Sequence, residues 1–148
     1  MREKVLDIFE LTTGGRCIFS VNKIGGVLKD IDQDMLNTML KVFEEMEEEL
    51  KTIRKTFLFD YTVESRLKGI GVLTKEQAHN LGAAGPFARA SGIKMDLRTT
   101  GYAAYKDLDM EIVTSEVGDS FARCEVRINE IFQAIDLIGQ CIDKIPMG

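Results

Sequence analysis

The chain has 148 residues, of which 45% are hydrophobic and 29% charged, enough apolar material to bury a core and to read as a single domain. A formal net charge of −5 argues against nucleic acid as a partner, because phosphate binding needs clustered excess Lys and Arg. No apolar run approaches the roughly 20 residues of a membrane span, and the N-terminus lacks a signal peptide's apolar stretch, so the piece itself is expected to be soluble.

Met1 to Thr12 reads as a helix, with Val5, Leu6, Phe9 and Thr12 on one side and Gly14-Gly15 closing it. No Ser, Thr, Asp or Asn precedes Arg2 as a cap, which suggests that the chain begins inside a longer helix. Arg16 to Val27, framed by glycine pairs and carrying Arg16 and Lys23, reads as an extended arm or irregular loop. From about residue 32 to 62 a long helix is expected. Leu36, Met39, Phe43, Met46, Leu50, Ile53 and Phe57 recur at alternating steps of three and four, the pattern of a bundle seam, with Asp32 or Asp34 as cap. The acidic run Glu44 to Glu49, followed by Lys51, Arg54 and Lys55, reads as a solvated face with Glu47 and Lys51 paired, rather than as an acidic binding tract.

An irregular segment, about 64 to 118, follows. Thr74-Lys75-Glu76-Gln77 has the form of a capping box, closed by Gly82, and Pro86 and Gly92 delimit another short helix. Met110 to Ser115 alternates like a strand, pairing with the arm near Phe19 or with Ile70 to Leu73. A second long helix is expected over about 119 to 145, capped by Asp119 and stopped by Pro146, with a seam of Phe121, Cys124, Ile128, Ile131, Ile135, Ile138, Ile142 and Ile145. The fold class is therefore mainly α: a fragment of a long-helix bundle with an irregular insertion and a small β element. Two helices and a stub leave apolar seams uncovered, which implies further helices, a partner, or self-association.

Cys17, Cys124 and Cys141 stand apart with no Cys-x-x-Cys spacing, and His79 has no second histidine or paired cysteine nearby, so no metal site is expected. Cys124 and Cys141 fall on or beside the apolar seam and are expected to be buried thiols. Gly69-Ile70-Gly71 fails the dinucleotide fingerprint, because Thr74 stands where its third glycine belongs. Asp107 with Asp109, and Asp30 with Asp32 and Asp34, lack the glycine and terminal glutamate of a calcium loop. Arg89, Asp96, Arg98, Asp119, Arg123 and Arg127 remain. Enclosed between helices, such charges must be paired, so a salt-bridge network that pins the irregular segment is expected ahead of a direct chemical role.

Six motifs in order carry a resemblance over essentially the whole chain: Thr13-Gly14-Gly15-Arg16; Ile24-Gly25-Gly26-Val27; Gly69 to Leu73; Gly82 to Pro86 with Arg89 to Gly92 and Asp96-Leu97-Arg98; Tyr102 to Tyr105; and Gly118 to Arg123. They resemble the large subunit of membrane-bound, energy-converting NiFe hydrogenases (Ech type) and its relative, the quinone-site subunit of respiratory complex I (NuoD type). The resemblance implies a central region of a longer subunit whose metal-holding cysteine pairs are absent from this chain, so that neither a catalytic residue nor a metal ligand is expected here. It implies a NiFe centre in the full-length subunit, a small-subunit partner carrying an iron–sulfur cluster, membrane subunits, and a place at the cytoplasmic face of the membrane. Arg16 and Lys23 would form the arm facing the partner's cluster, where positive charge stabilises a reduced state. Arg89, Asp96, Arg98, Asp119 and Arg123 would form a charge network around the catalytic centre. Complex I relatives usually carry a histidine two residues beyond the arm's arginine; here Ile18 stands there and cannot titrate. With Thr99 to Tyr105, which resembles the hydrogenase branch more closely, this favours a hydrogenase fragment over a NADH:quinone oxidoreductase fragment or a non-catalytic helical module.

Overall fold

A computed structural model describes residues 1–146. The chain is mainly helical with a two-stranded antiparallel sheet, and it divides into two compact units: Met1–Glu49 with the chain from Ile142 on, and Leu50–Cys141.

In the first unit α1 spans Arg2–Thr13 and ends where Gly14 takes a left-handed φ of 79° and donates its N–H to the Glu10 carbonyl at 2.9 Å. That conformation costs a glycine nothing and gives the helix its exit turn. The arm that follows contains β1 (Asn22–Lys23) and β2 (Gly26–Val27), with Asn22 opposite Val27 and Lys23 opposite Gly26. Phe19 anchors it by packing edge-on against Phe9, ring centroids 5.1 Å apart. The expected strand pairing of this arm with residues 110–115 does not occur; β1 and β2 pair with each other across a Gly25 turn. The long helix α2 (Gln33–Phe59) starts at Asp32, whose carboxylate accepts the Met35 N–H at 2.8 Å. Ile8, Leu36, Phe43 and Met46 are buried here, so this half of the expected seam is a true core stripe. Lys4 reaches Glu45 at 3.1 Å and Glu49 at 2.8 Å, and the contact raises the lysine's pKa and lowers that of Glu49.

In the second unit the expected helix to residue 62 is broken. Asp60 takes an extended conformation and its carboxylate accepts the N–H groups of Thr62 and Val63 at 2.8 and 3.2 Å, starting a new helix, α3 (Tyr61–Leu67). A short acidic side chain that bonds its own downstream backbone ends one helix and caps the next. The Thr74 capping box opens α4 (Lys75–Asn80) with both reciprocal bonds formed, and Pro86 opens α5 (Pro86–Arg89). Two 3-10 turns follow, Leu97–Thr100 and Ala103–Asp107. Residues 110–115 run without regular structure, held by Ser115 N–H to the Arg89 carbonyl at 3.0 Å and by the Gln133 side chain to the Glu111 carbonyl.

The second long helix, α6 (Ser120–Lys144), is capped by Asp119, which accepts the Ala122 N–H at 2.7 Å. Ala122, Val126 and Leu137 are buried along one face, and Ile128 of the expected seam is buried on another, while the expected seam residue Ile131 is 42% exposed. Cys141 is exposed rather than buried and Cys124 is half-buried. Ala90, Ala122 and Val126 form a tight core against Val113. Small side chains let backbone approach backbone at that point: Leu73 N–H bonds the Gly118 carbonyl at 2.9 Å, Gly118 N–H the Ala90 carbonyl at 2.8 Å, and the Ser91 hydroxyl the Leu73 carbonyl at 2.8 Å.

Candidate functional site

The irregular segment is fastened to α6 by four charges. Arg89, the last residue of α5, has only 9% of its side chain exposed. Its Nε donates to Glu130 at 2.6 Å and its Nη1 lies 3.1 Å from Asp96 and donates to the Met95 carbonyl at 3.4 Å. Arg98 grips the same Asp96 with Nε and Nη2 at 3.0 and 2.7 Å, a bidentate fork that adds geometric specificity to charge. Asp96 also accepts the Arg98 backbone N–H, so one carboxylate serves as turn cap and as shared counter-ion. The hydrogen bond from Arg98, with that backbone bond and the charges of Arg98 and Arg89, holds the Asp96 carboxyl down to about 2 against the opposing effect of burial. Two cations and two anions make the cluster neutral, the condition under which buried charge is tolerated.

Arg98 sits between two openings. On one side a cavity of about 290 Å³ is lined by Gly85, Arg89, Asp96 and Arg98. On the other an apolar cavity of about 330 Å³ is lined by Tyr105, Leu108, Leu137, Ile138 and Cys141, and the Arg98 guanidinium lies 5.9 Å from the Tyr105 ring.

Of the five residues expected in one network, the structure unites Arg89, Asp96 and Arg98. Asp119 and Arg123 do other work. The Asp119 carboxylate caps α6 and accepts the Gly69 N–H at 2.8 Å; Arg123 donates to the Gly118 carbonyl, the Gly71 carbonyl and the Ser120 hydroxyl at 2.8, 3.0 and 2.9 Å. Both bind backbone and lock the 69–71 turn to the start of α6. Glu130 was not legible as a member, although it lies four residues after Val126 on the buried stripe of α6. Taking the helix phase from Ala122 and Val126 instead of from the isoleucines would have revealed it.

In the first unit Arg16 is surrounded by Glu3, Asp7 and Glu10, with Glu3 at 2.7 Å and Glu10 at 3.1 Å, which raises its pKa and ties the arm's base to α1. Lys23 is exposed in β1. Among the described residues no group of three or more His, Cys, Asp or Glu is placed to hold a metal ion. Three separate thiols, Cys17, Cys124 and Cys141, do not by themselves make the ligand set of a nickel–iron centre.

All of residues 1–148 match the family described as "Respiratory-chain NADH dehydrogenase, 49 Kd subunit". The chain belongs to that family. Within the NADH dehydrogenase 49 kDa family it is 43% identical over 148 residues to a NADH-quinone oxidoreductase subunit of Phocaeicola vulgatus, covering 99% of this chain and 28% of that protein. It is 36% identical to a F(420)H(2) dehydrogenase subunit of Methanosarcina mazei, over 99% of this chain and 40% of that one. The alpha subunit of a membrane-bound hydrogenase of Pyrococcus furiosus is 37% identical over 155 residues, 99% of this chain and 36% of the relative. The chain thus spans between 28% and 40% of the length of these relatives. Among its described residues no helix is long and apolar enough to cross a membrane.

Proposed function

We propose that this chain is the helical framework of the large subunit of an energy-converting redox complex, and that the Arg89–Asp96–Arg98–Glu130 cluster fixes the segment that shapes the reaction site of that subunit. The observation that carries the reading is the cluster itself: four charges largely withdrawn from water, paired to neutrality, joining residues 41 positions apart in sequence. Such an arrangement holds an irregular segment in one geometry, which a bundle of helices alone does not do. The reaction assigned to the whole subunit is quinone reduction, supported by the 43% identity to a NADH-quinone oxidoreductase subunit. Electrons would arrive through an iron–sulfur cluster of a partner subunit toward which the arm of Arg16 and Lys23 would be turned, and membrane subunits would couple the transfer to ion movement.

Hydrogen turnover at a nickel–iron centre held elsewhere in the full subunit is the second reading. Ile18 favours it, because an arm without a titratable group at that position offers no proton linked to reduction of the partner's cluster. The 37% identity to a membrane-bound hydrogenase subunit is of the same order as that to the quinone enzymes. Assays of the assembled complex separate the two: hydrogen evolution from a reduced donor without quinone reduction overturns the first reading. In the same complex Arg89→Leu is expected to lower turnover sharply by cutting the tie between the Asp96–Arg98 pair and Glu130. Wild-type turnover with unchanged thermal stability would show that the cluster shapes nothing.

A further inference from the structure

Phe87, in α5, is about half exposed, and two guanidinium groups lie over its ring: Arg123 at 5.2 Å and Arg127 at 5.3 Å from the centroid. Like charges brought to one ring repel each other, and the ring's quadrupole offsets only about 1 kcal/mol per cation at an exposed site. Arg16, Arg89 and Arg98 by contrast each meet a carboxylate. Among the described residues neither Arg123 nor Arg127 forms an ion pair. Both are nevertheless held in place. Arg123 is fixed by its three bonds to Gly118, Gly71 and Ser120, and Arg127 by Nη1 to the Arg123 carbonyl at 3.1 Å, so that the rest of its fork has no acceptor among the described residues. Beside them Ile70 and Val72, on either side of the Gly71 whose carbonyl Arg123 holds, are 58% and 51% exposed.

We propose that Phe87, Arg123 and Arg127, with Ile70 and Val72, form a docking surface for an acidic segment of a partner subunit, one that presents an Asp or Glu between apolar residues. Its carboxylate takes the open fork of Arg127 and balances the paired cations, while its apolar neighbours cover Phe87, Ile70 and Val72. Charge complementarity selects the occupant: an uncompensated pair of guanidinium groups set among exposed apolar side chains suits a protein segment that is both acidic and apolar. Arginines and aromatic rings are the groups that carry most binding energy at such surfaces, and their prior immobilisation lowers the entropy lost on docking. The inference rests on reading the chain as a subunit of a larger complex, and holds for either redox branch.

The test uses the intact complex purified from cells in which Phe87→p-benzoylphenylalanine provides a photo-cross-linker. The expected result is a cross-link to one partner-subunit peptide that contains an Asp or Glu, identified by mass spectrometry. Arg127→Glu should lower retention of that subunit roughly tenfold at raised salt, and Lys in place of the captured carboxylate should restore it. Arg127→Lys, which keeps the charge but not the fork, should lose less. A cross-link to lipid, to a second copy of this chain or to a peptide without an acidic residue overturns the proposal, as does no cross-link in an assembled complex or unchanged retention of the Arg127→Glu chain. Native mass spectrometry of the wild type distinguishes the failures: a chain found without partners sinks the subunit reading as well, whereas a complex with a silent Phe87 sinks only the docking surface.

Discussion

Asp96 shows how much one residue is asked to do. It caps a 3-10 turn, receives the bidentate fork of Arg98 and lies 3.1 Å from Arg89, with 7% of its side chain exposed. Because its folded pKa is held down to about 2, below the value near 4 of an unfolded aspartate, the ionised form favours folding. That contribution is fully present above about pH 4 and is lost as pH falls through the folded pKa. Stability should therefore drop by an amount on the order of 1 kcal/mol between about pH 4 and pH 2, after discounting for water at the open side of the cavity. Denaturant titrations of Asp96→Asn should show this part of the acid slope removed; an unchanged slope would mean that Asp96 is not the group responsible. Arg89→Leu takes from Glu130 its partner and leaves Asp96 to Arg98 alone, and is expected to cost about 3 kcal/mol. Gly118 marks the limit of what charge can explain. At φ 73° a Cβ there would lie 2.3 Å from the Leu73 carbonyl oxygen, so Gly118→Ala should cost at least about 2 kcal/mol through backbone strain and displacement. Equilibrium unfolding checks both substitutions.

At the scale of elements, local chemistry was legible and rotation was not. The Thr74 capping box, Pro86 at the start of α5, Asp32 at the start of α2 and Asp119 at the start of α6 all sit where the sequence puts them, because each depends on atoms within a few residues. Thr74→Ala should accordingly cost about 1 kcal/mol, with the loss confined to amide exchange of α4 and the turn after it. Protection lost throughout the second unit would contradict that local role. The break at Asp60 was missed for a related reason: the seam pattern of α2 runs to Phe57 without interruption, and only the preference of Asp for a cap position interrupts the helix. The phase of α6 was missed because apolar residues occupy both its faces. Isoleucine spacing marked one stripe, of which Ile128 is buried, but the core around Ala90 is made through Ala122 and Val126, where close backbone approach needs small side chains, and that second stripe carries Glu130 to Arg89. Strand-like alternation at 110–115 likewise reports an extended chain, while pairing depends on an edge that no other segment supplies.

At the scale of the molecule, the family and the fold class could be read from motif order and helical period, whereas the grouping of the charges was legible only for Arg89, Asp96 and Arg98 and not for Glu130. Arg89 and Glu130 are far apart in sequence, and their meeting depends on the α6 rotation just described. Surface composition adds a last consequence. Within the second unit Ile53, Phe57, Phe59 and Tyr61 are exposed along the end of α2 and the start of α3, and within the first unit Ile18, Ile24, Val27 and Leu28 are exposed on the arm. Large apolar side chains exposed in such numbers on neighbouring segments commonly lie under another part of a protein or a partner, and this chain spans less than half the length of its relatives. Expressed alone, it is therefore expected to self-associate through these faces. The weight-average mass in sedimentation equilibrium should rise with concentration, and Phe57→Ser with Phe59→Ser should shift that rise to higher concentration while leaving the helical circular dichroism intact. Phe59 is 72% exposed and its replacement removes little that the folded unit buries, while Phe57, at 44%, gives up part of a covered face. A chain that stays monomeric at every concentration would mean that the second unit tolerates its apolar surface in water, and that the exposed end of α2 is not an interface.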